Sequence, residues 1–194
     1  MQNMPETIGG FTQVEYLTVF ITIIFGVVAT EFFSGWGNML RNRREFNIYP
    51  LHFIWTIFSF MTLIQNWYGI WPRVAFINHS FFFFFYSLVP MFSFYLMSVI
   101  LFPKFKGEDV DYKKHYLNNN RTFFVVYSVY FAITILSSFV YEDRGDVVSQ
   151  NLLRIGALVF SMACAYFHKK VILQYIFLGL CCAGLLQFIF VLPK

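Results

Sequence analysis

The chain has 194 residues, of which 58% are hydrophobic and 12% are charged, and its mean hydropathy is +0.60. Soluble domains carry about 25% charged residues, so this chain has too few charges to cover its apolar content in water. The formal charge of +4 is spread over short segments between apolar stretches, which excludes a nucleic-acid partner and indicates the lipid bilayer as the surroundings.

Six apolar stretches are each long enough to cross a hydrocarbon core of about 30 Å, which takes about 20 helical residues. Helix is expected for each stretch, because lipid cannot satisfy backbone N–H and C=O groups. The sequence therefore predicts an all-α polytopic membrane bundle of about six transmembrane helices, forming a single domain over 1–194. The predicted spans are 14–40, 51–71, 78–102, 121–141, 149–168 and 171–192.

The first predicted helix carries a stripe of small and hydroxyl residues at every fourth position: Thr18, Thr22, Gly26, Thr30, Ser34 and Asn38. This spacing lets another helix approach closely and hydrogen-bond across the contact, so we interpret the stripe mainly as a packing surface. Glu31 lies beside it, about two turns from the end of the helix. An intramembrane carboxylate costs about 3 kcal/mol unless it is neutralised, paired or turned to a cavity.

Glu31, with Thr30, Ser34 and Asn38, is therefore the first candidate site. Two interpretations are open for the carboxyl group. It is either a proton-linked or cation-coordinating group, or a hydrogen-bonded group that ties the first helix to its neighbours.

A second polar group is predicted at the opposite face of the membrane, where the first, second, fifth and sixth helices carry polar residues. Its members are Glu15, Gln65, Asn66, Arg154 and Gln187. The Arg154 guanidinium requires a counter-charge, and an ion pair with an acidic residue at the same depth explains the group most simply. A pocket that opens outward is the alternative.

The basic residues are distributed unequally between the two sides of the predicted bundle. Ten Lys and Arg residues fall in the connections after the first, third and fifth spans, and four fall on the other side. By the positive-inside rule, both termini face away from the cytoplasm. The first dozen residues contain no Lys or Arg, so no cleavable signal peptide is expected. The segment before Arg121, with Tyr112 and Tyr116, fits an amphipathic interfacial run or an ordinary solvated loop.

Histidines and catalytic motifs give no strong indication of a cofactor or an enzyme. His52 and His168 are predicted at matching depth, as a haem or metal would require, but both lie at the membrane interface, where a solvated histidine is ordinary. We therefore predict no cofactor and no metal, and keep this pair as weak metal candidates. No GxSxG, HExxH, Walker A or GxGxxG motif occurs, which favours a non-catalytic role over an enzymatic one.

Several segments carry a resemblance to other membrane proteins: EYLTVFITIIFGVVATEFFSGWGNMLRNRR, YPLHFIWTIFSF, QNWYGIW, FPK and HYLNNNRTFF. Over most of its length the chain resembles small uncharacterised multi-spanning proteins of the bacterial inner membrane. The resemblance implies a location in the bacterial inner (cytoplasmic) membrane, and it implies no activity and no functional residue.

Three roles follow from these features as expectations. The first is conductance of ions or protons, or transport of a small solute, by a homo-oligomer with Glu31 near the path. The second is a non-catalytic subunit or scaffold of a larger membrane complex, in which the stripe packs against a partner protein. The third is a membrane enzyme that acts on a lipid or quinone at the outer polar group.

Overall fold

The computed structural model describes residues 7–8, 11–41, 49–70, 81–103, 111–141 and 144–191. These residues form six helices: α1 (Gln13–Arg41), α2 (Pro50–Tyr68), α3 (Phe81–Leu101), α4 (Tyr112–Tyr141), α5 (Arg144–Tyr166) and α6 (Val171–Val191). Two short strands, β1 (Thr7–Ile8) and β2 (Phe11–Thr12), pair antiparallel before α1. The predicted helical membrane bundle is confirmed.

Within the described ranges, three helices are by themselves long and apolar enough to cross a membrane: α1, α3 and the Tyr112–Phe139 part of α4. The apolar segments Asn151–Tyr166 and Val171–Leu185 of α5 and α6 are shorter within the described residues. The 19-residue α2 carries a row of polar side chains that point into the bundle: His52, Thr56, Ser59 and Thr62. The chain is therefore a membrane protein built of packed helices.

The largest difference from the predicted spans is at the start of α4. This helix begins at Tyr112, nine residues before the predicted span, and the residues preceding it, 104–110, lie outside the described part. The Tyr112 and Tyr116 side chains are buried, whereas Lys113 and Lys114 are exposed. The segment is thus an amphipathic helix and not an ordinary solvated loop. Its aromatic face packs on the bundle.

Aromatic side chains fill the middle of the bundle. Trp55 of α2 is fully buried, and rings from α4 and α6 surround its indole. Phe124 meets it edge-on with ring centroids 5.2 Å apart, and Phe177 lies 5.6 Å away. Edge-on pairs of this kind add about 0.5–1.5 kcal/mol each beyond the area they bury. α2 is consequently held at the centre, against α3, α4 and α6.

α1 lies at the side of the bundle, packed mainly against α3 and less against α2. Its inward side chains include Ile21, Val28 and Phe32. At Gly35 the Phe102 ring lies directly against the backbone, in the space that a Cβ atom would occupy. This close approach brings the residue after α3 into direct contact with the last third of α1.

One end of the bundle is where α1, α3 and α5 finish and α2, α4 and α6 begin, and we call it the basic end. The described basic side chains on this side are exposed: Arg41, Lys113, Lys114, Arg121, Lys169 and Lys170.

Candidate functional site

The first candidate site lies on the outward side of α1. Five exposed residues form this surface, which we call the polar face of α1: Thr22, Gly26, Thr30, Glu31 and Ser34. Nothing in the described chain lies within 4 Å of the position that a Cβ atom on Gly26 would take. The middle of the stripe found in the sequence is therefore exposed, whereas its two end residues, Thr18 and Asn38, are half-buried.

The polar side chains of this face have few partners within the chain. The Thr30 hydroxyl donates to the Gly26 carbonyl, 2.8 Å away, and the Thr22 hydroxyl donates to the Thr18 carbonyl at 2.9 Å. Among the described residues, no group donates a hydrogen bond to the Glu31 carboxyl. Asn38, nearer the basic end, is half-buried. The four candidate residues lie along α1, and no described residue of a second helix forms a hydrogen bond with their side chains.

Glu15, from the second predicted group, has a local structural role. Its carboxylate accepts hydrogen bonds from the Thr12 backbone N–H and hydroxyl, both 2.8 Å away, and its own N–H donates to Thr12 Oγ1 at 3.3 Å. This reciprocal arrangement is a capping box, which satisfies backbone donors at a helix start. Its sequence signature, Thr12-Gln13-Val14-Glu15, was overlooked in the sequence analysis.

The structure describes the rest of the predicted outer group only in part. The Arg154 guanidinium donates to Asn151 Oδ1 at 3.3 Å, and that oxygen also accepts from the Ser138 hydroxyl at 2.8 Å. Gln65 and Asn66 are half-buried at the end of α2. The Gln187 side chain lies outside the described residues. Arg154 therefore takes part in a polar contact between α4 and α5.

A line of buried polar residues on α2 was missed in the sequence analysis. His52, Thr56, Ser59 and Thr62 follow one another at helical spacing and all point inward. Thr56 Oγ1 accepts from the Trp36 indole N–H at 2.9 Å, and Thr62 Oγ1 lies 3.3 Å from the Tyr127 hydroxyl. The spacing of four, three and three residues is a helical signal, but it does not reveal which side faces the protein.

The basic end holds a hydrogen-bonded network that joins α4 to the turn between α5 and α6. The Tyr116 hydroxyl donates to Gln174 Oε1 at 2.8 Å. The side-chain amides of Gln174 and Asn120 both donate to the His168 carbonyl, at 2.8 and 2.9 Å. His168 therefore contributes its backbone to this network, and Gln174 and Asn120 were not identified from sequence.

His52 has His115 as its histidine neighbour in the structure, with ring centroids 6.4 Å apart. His52 Nε2 lies 2.7 Å from the Leu101 carbonyl oxygen, and His115 Nε2 lies 3.0 Å from the Ile100 carbonyl oxygen. Both rings thus bind the last carbonyl groups of α3. No group of three or more His, Cys, Asp or Glu side chains that would hold a metal occurs in the part of the chain that is described.

Comparisons with family models, curated proteins and solved structures give no match to this chain.

Proposed function

We propose that this chain is one protomer of a membrane assembly, in which copies meet through the polar face of α1 and conduct protons or small cations past Glu31. The observation that supports the proposal is the outward position of Glu31 on an apolar 29-residue helix. Left against lipid, the carboxylate costs about 3 kcal/mol, and a second protein surface removes much of that cost.

The small residues around Glu31 suit a helix–helix contact. Thr22, Gly26 and Thr30 are spaced four apart, which lets two backbones come close in a membrane. The Thr22 and Thr30 hydroxyl groups donate to carbonyls of their own helix, so their oxygens can accept a hydrogen bond from a protonated carboxyl group on a neighbouring copy. The Ser34 hydroxyl is a further partner. The contact therefore combines close packing with a continuous polar surface.

A path between copies suits this chain better than a path through its middle. The described interior is packed with aromatic rings around Trp55, and its buried polar groups are mostly engaged in hydrogen bonds between helices. The exposed polar face of α1 is where carboxyl and hydroxyl groups adjoin along a helix. Conductance of protons or cations therefore depends on assembly.

The second candidate function is a non-catalytic subunit or scaffold of a larger membrane complex. The same polar face supports it, because a different membrane protein would bury Glu31 as well as another copy does. An enzyme acting on lipid or quinone has less support. Glu15 is engaged in a helix cap, and Arg154 contacts Asn151.

The location follows as part of the proposal. The excess of basic residues at one end and the resemblance to bacterial inner-membrane proteins support the inner membrane, with both termini away from the cytoplasm.

Assembly is tested by placing a large side chain on the polar face. Wild-type protein in mild detergent is expected to have the mass of an oligomer, and Gly26→Leu to shift it toward the monomer, because the added side chain separates the helices. Gly156→Leu on α5 is the matched control, since nothing in the described chain lies within 4 Å of either glycine's Cβ position. A monomeric wild type rules out self-assembly. A stoichiometric partner recovered from native membranes supports the subunit role instead.

Conductance is tested in liposomes containing a pH-sensitive dye. We expect Glu31→Gln to lower proton flux by about tenfold or more, because each 1.4 kcal/mol added to a barrier slows a step tenfold. Glu15→Gln is the control, since glutamine also completes a capping box and only the charge is lost. Flux that is absent from wild-type liposomes, or equal in the Glu31→Gln protein, would refute conductance past Glu31.

A further inference from the structure

The turn between α5 and α6 concentrates positive charge at the basic end. Lys169 and Lys170 are consecutive exposed residues of this turn. Arg121, also exposed, directly follows Asn120 in α4. The Asn120 side-chain amide donates to the carbonyl of His168, which directly precedes Lys169. This hydrogen bond therefore places Arg121 next to the turn that carries the two lysines.

A fourth cation lies on the same side of α4. Lys113 is seven residues before Asn120, which is close to two helical turns, so both residues share one face of the helix. Lys113 is exposed and lies about 10 Å nearer to the start of α4. Tyr116, between the two, contacts Gln174 of α6, so this face of α4 is the one that meets the turn. We call the four cations the cationic cluster: Lys113, Arg121, Lys169 and Lys170.

Buried groups fix the backbone of the turn. The Gln174 side-chain amide donates to the His168 carbonyl at 2.8 Å, and the Tyr116 hydroxyl donates to Gln174 Oε1 at the same distance. The Lys170 ammonium lies 5.1 Å from the centre of the Phe167 ring, which is a cation–π contact. A turn that is already ordered loses less conformational entropy when it binds a ligand.

The positive charge of the cluster is not neutralised by described residues. None of its four side chains forms an ion pair within the described ranges. Asp111, at the same end, accepts from the Lys114 backbone N–H at 3.0 Å and caps the start of α4. α6 has no acidic residue in its first turn. Like charges that lie close together repel one another, and a bound anion removes this repulsion.

An apolar surface continues from the cluster into the membrane. Ile172 and Ile176 are one turn apart on α6, and their side chains are 76% and 52% exposed. Tyr166, at the end of α5, is also largely exposed, and tyrosines of membrane proteins are enriched at the level of the lipid headgroups. An anion bound at the cluster can therefore carry acyl chains that lie along α6.

We propose that the cationic cluster binds the headgroup of an anionic phospholipid, whose acyl chains lie on the exposed apolar side of α6. Basic surfaces at the ends of transmembrane helices recognise phosphate-bearing headgroups in this way. The Arg121 guanidinium is suited to hold two phosphate oxygens at once, and the lysines act as point charges. A bound headgroup links α4 to the turn between α5 and α6. The site is separate from the polar face of α1, so it does not depend on the proposed function.

The experiment titrates full-length protein in mild detergent with cardiolipin, an anionic phospholipid with two phosphates, and measures bound lipid by native mass spectrometry. One tightly bound lipid per chain is expected, and tighter binding than that of the zwitterionic phosphatidylethanolamine. We expect Arg121→Gln and Lys169→Gln each to weaken cardiolipin binding by about fivefold, the contribution of one basic residue at an anionic lipid surface. Arg121→Lys, which keeps the charge, should retain most of the affinity.

Arg41→Gln is the matched control. It removes one exposed positive charge at the same end, but from α1, which packs mainly against α3. Its affinity for cardiolipin is expected to equal that of the wild type. An equal loss in Arg41→Gln and Arg121→Gln would show a general attraction to the surface and overturn the site. Equal binding of cardiolipin and phosphatidylethanolamine would overturn it too, and so would displacement of the lipid by an equal concentration of inorganic phosphate.

Discussion

At Gly35 the backbone of α1 lies directly against the ring of Phe102, and this contact has a measurable consequence. A methyl group at Gly35 would occupy the place of the ring, so Phe102 or α1 must move. We expect Gly35→Ala to lower the free energy of unfolding by about 1–3 kcal/mol, the usual cost of overpacking. Thermal unfolding in detergent measures the change. Gly156→Ala, with open space around it, should unfold like the wild type, and equal unfolding temperatures for the two variants would contradict the contact.

Two glutamates on the same helix, Glu15 and Glu31, have different surroundings. Glu15 and Glu31 are both carboxylates on α1, and both were selected from sequence as candidates. Glu15 accepts two hydrogen bonds from Thr12, whereas Glu31 is exposed on the outward side. The first carboxyl group is explained by the start of its own helix, whereas the second accepts no hydrogen bond from any residue that the structure describes.

At the scale of an element, the capping box decides how α1 begins. Thr12→Ala removes the hydroxyl oxygen that accepts the Glu15 N–H and the hydroxyl that donates to the carboxylate. Loss of a threonine cap costs about 0.5–2 kcal/mol, so we expect the first turn of α1 to exchange its amide hydrogens faster. Hydrogen–deuterium exchange with mass spectrometry resolves the segment. Thr30→Ala, in the middle of the same helix, is the control, and unchanged exchange near Glu15 in Thr12→Ala would argue against the cap.

α4 shows how an element acquires residues that hydropathy assigns to a loop. Its first turns carry Lys113, Lys114 and Asn118, which lower the hydropathy below that of a span. The helix nevertheless starts at Tyr112, because Tyr116 and His115 find partners on α6 and α3. Contacts with other helices therefore extend α4 beyond the part that lipid requires.

At the scale of the whole molecule, the basic end predicts the orientation in the membrane. In a variant without its native cysteines, Lys169→Cys is expected to react with a membrane-impermeant maleimide only from the cytoplasmic side. Gln13→Cys, exposed at the opposite end, should react only from the outside. The physical reason is that basic connections are retained in the cytoplasm during insertion. Labelling of intact spheroplasts and inverted vesicles measures both, and the reverse pattern would invert the orientation.

Properties that depend on a single segment of the chain were predictable from the sequence. Six apolar stretches, the helical state of each, the polar stripe of α1 and the concentration of basic residues at one end all follow from local sequence. Each is set by the free energy of a single segment between lipid and water, which neighbouring helices change little.

Which side of each helix faces the other helices was decided by the tertiary structure. The polar face of α1 points outward, His52 of α2 points inward, and the ring of His115 lies beside the ring of His52. In water, the apolar side of a helix marks the core, but lipid is as apolar as a protein interior. Hydrophobic periodicity therefore carries little information about direction in a membrane protein, and only the packing of α1 on α3, and of α2 among the aromatic rings, determines it.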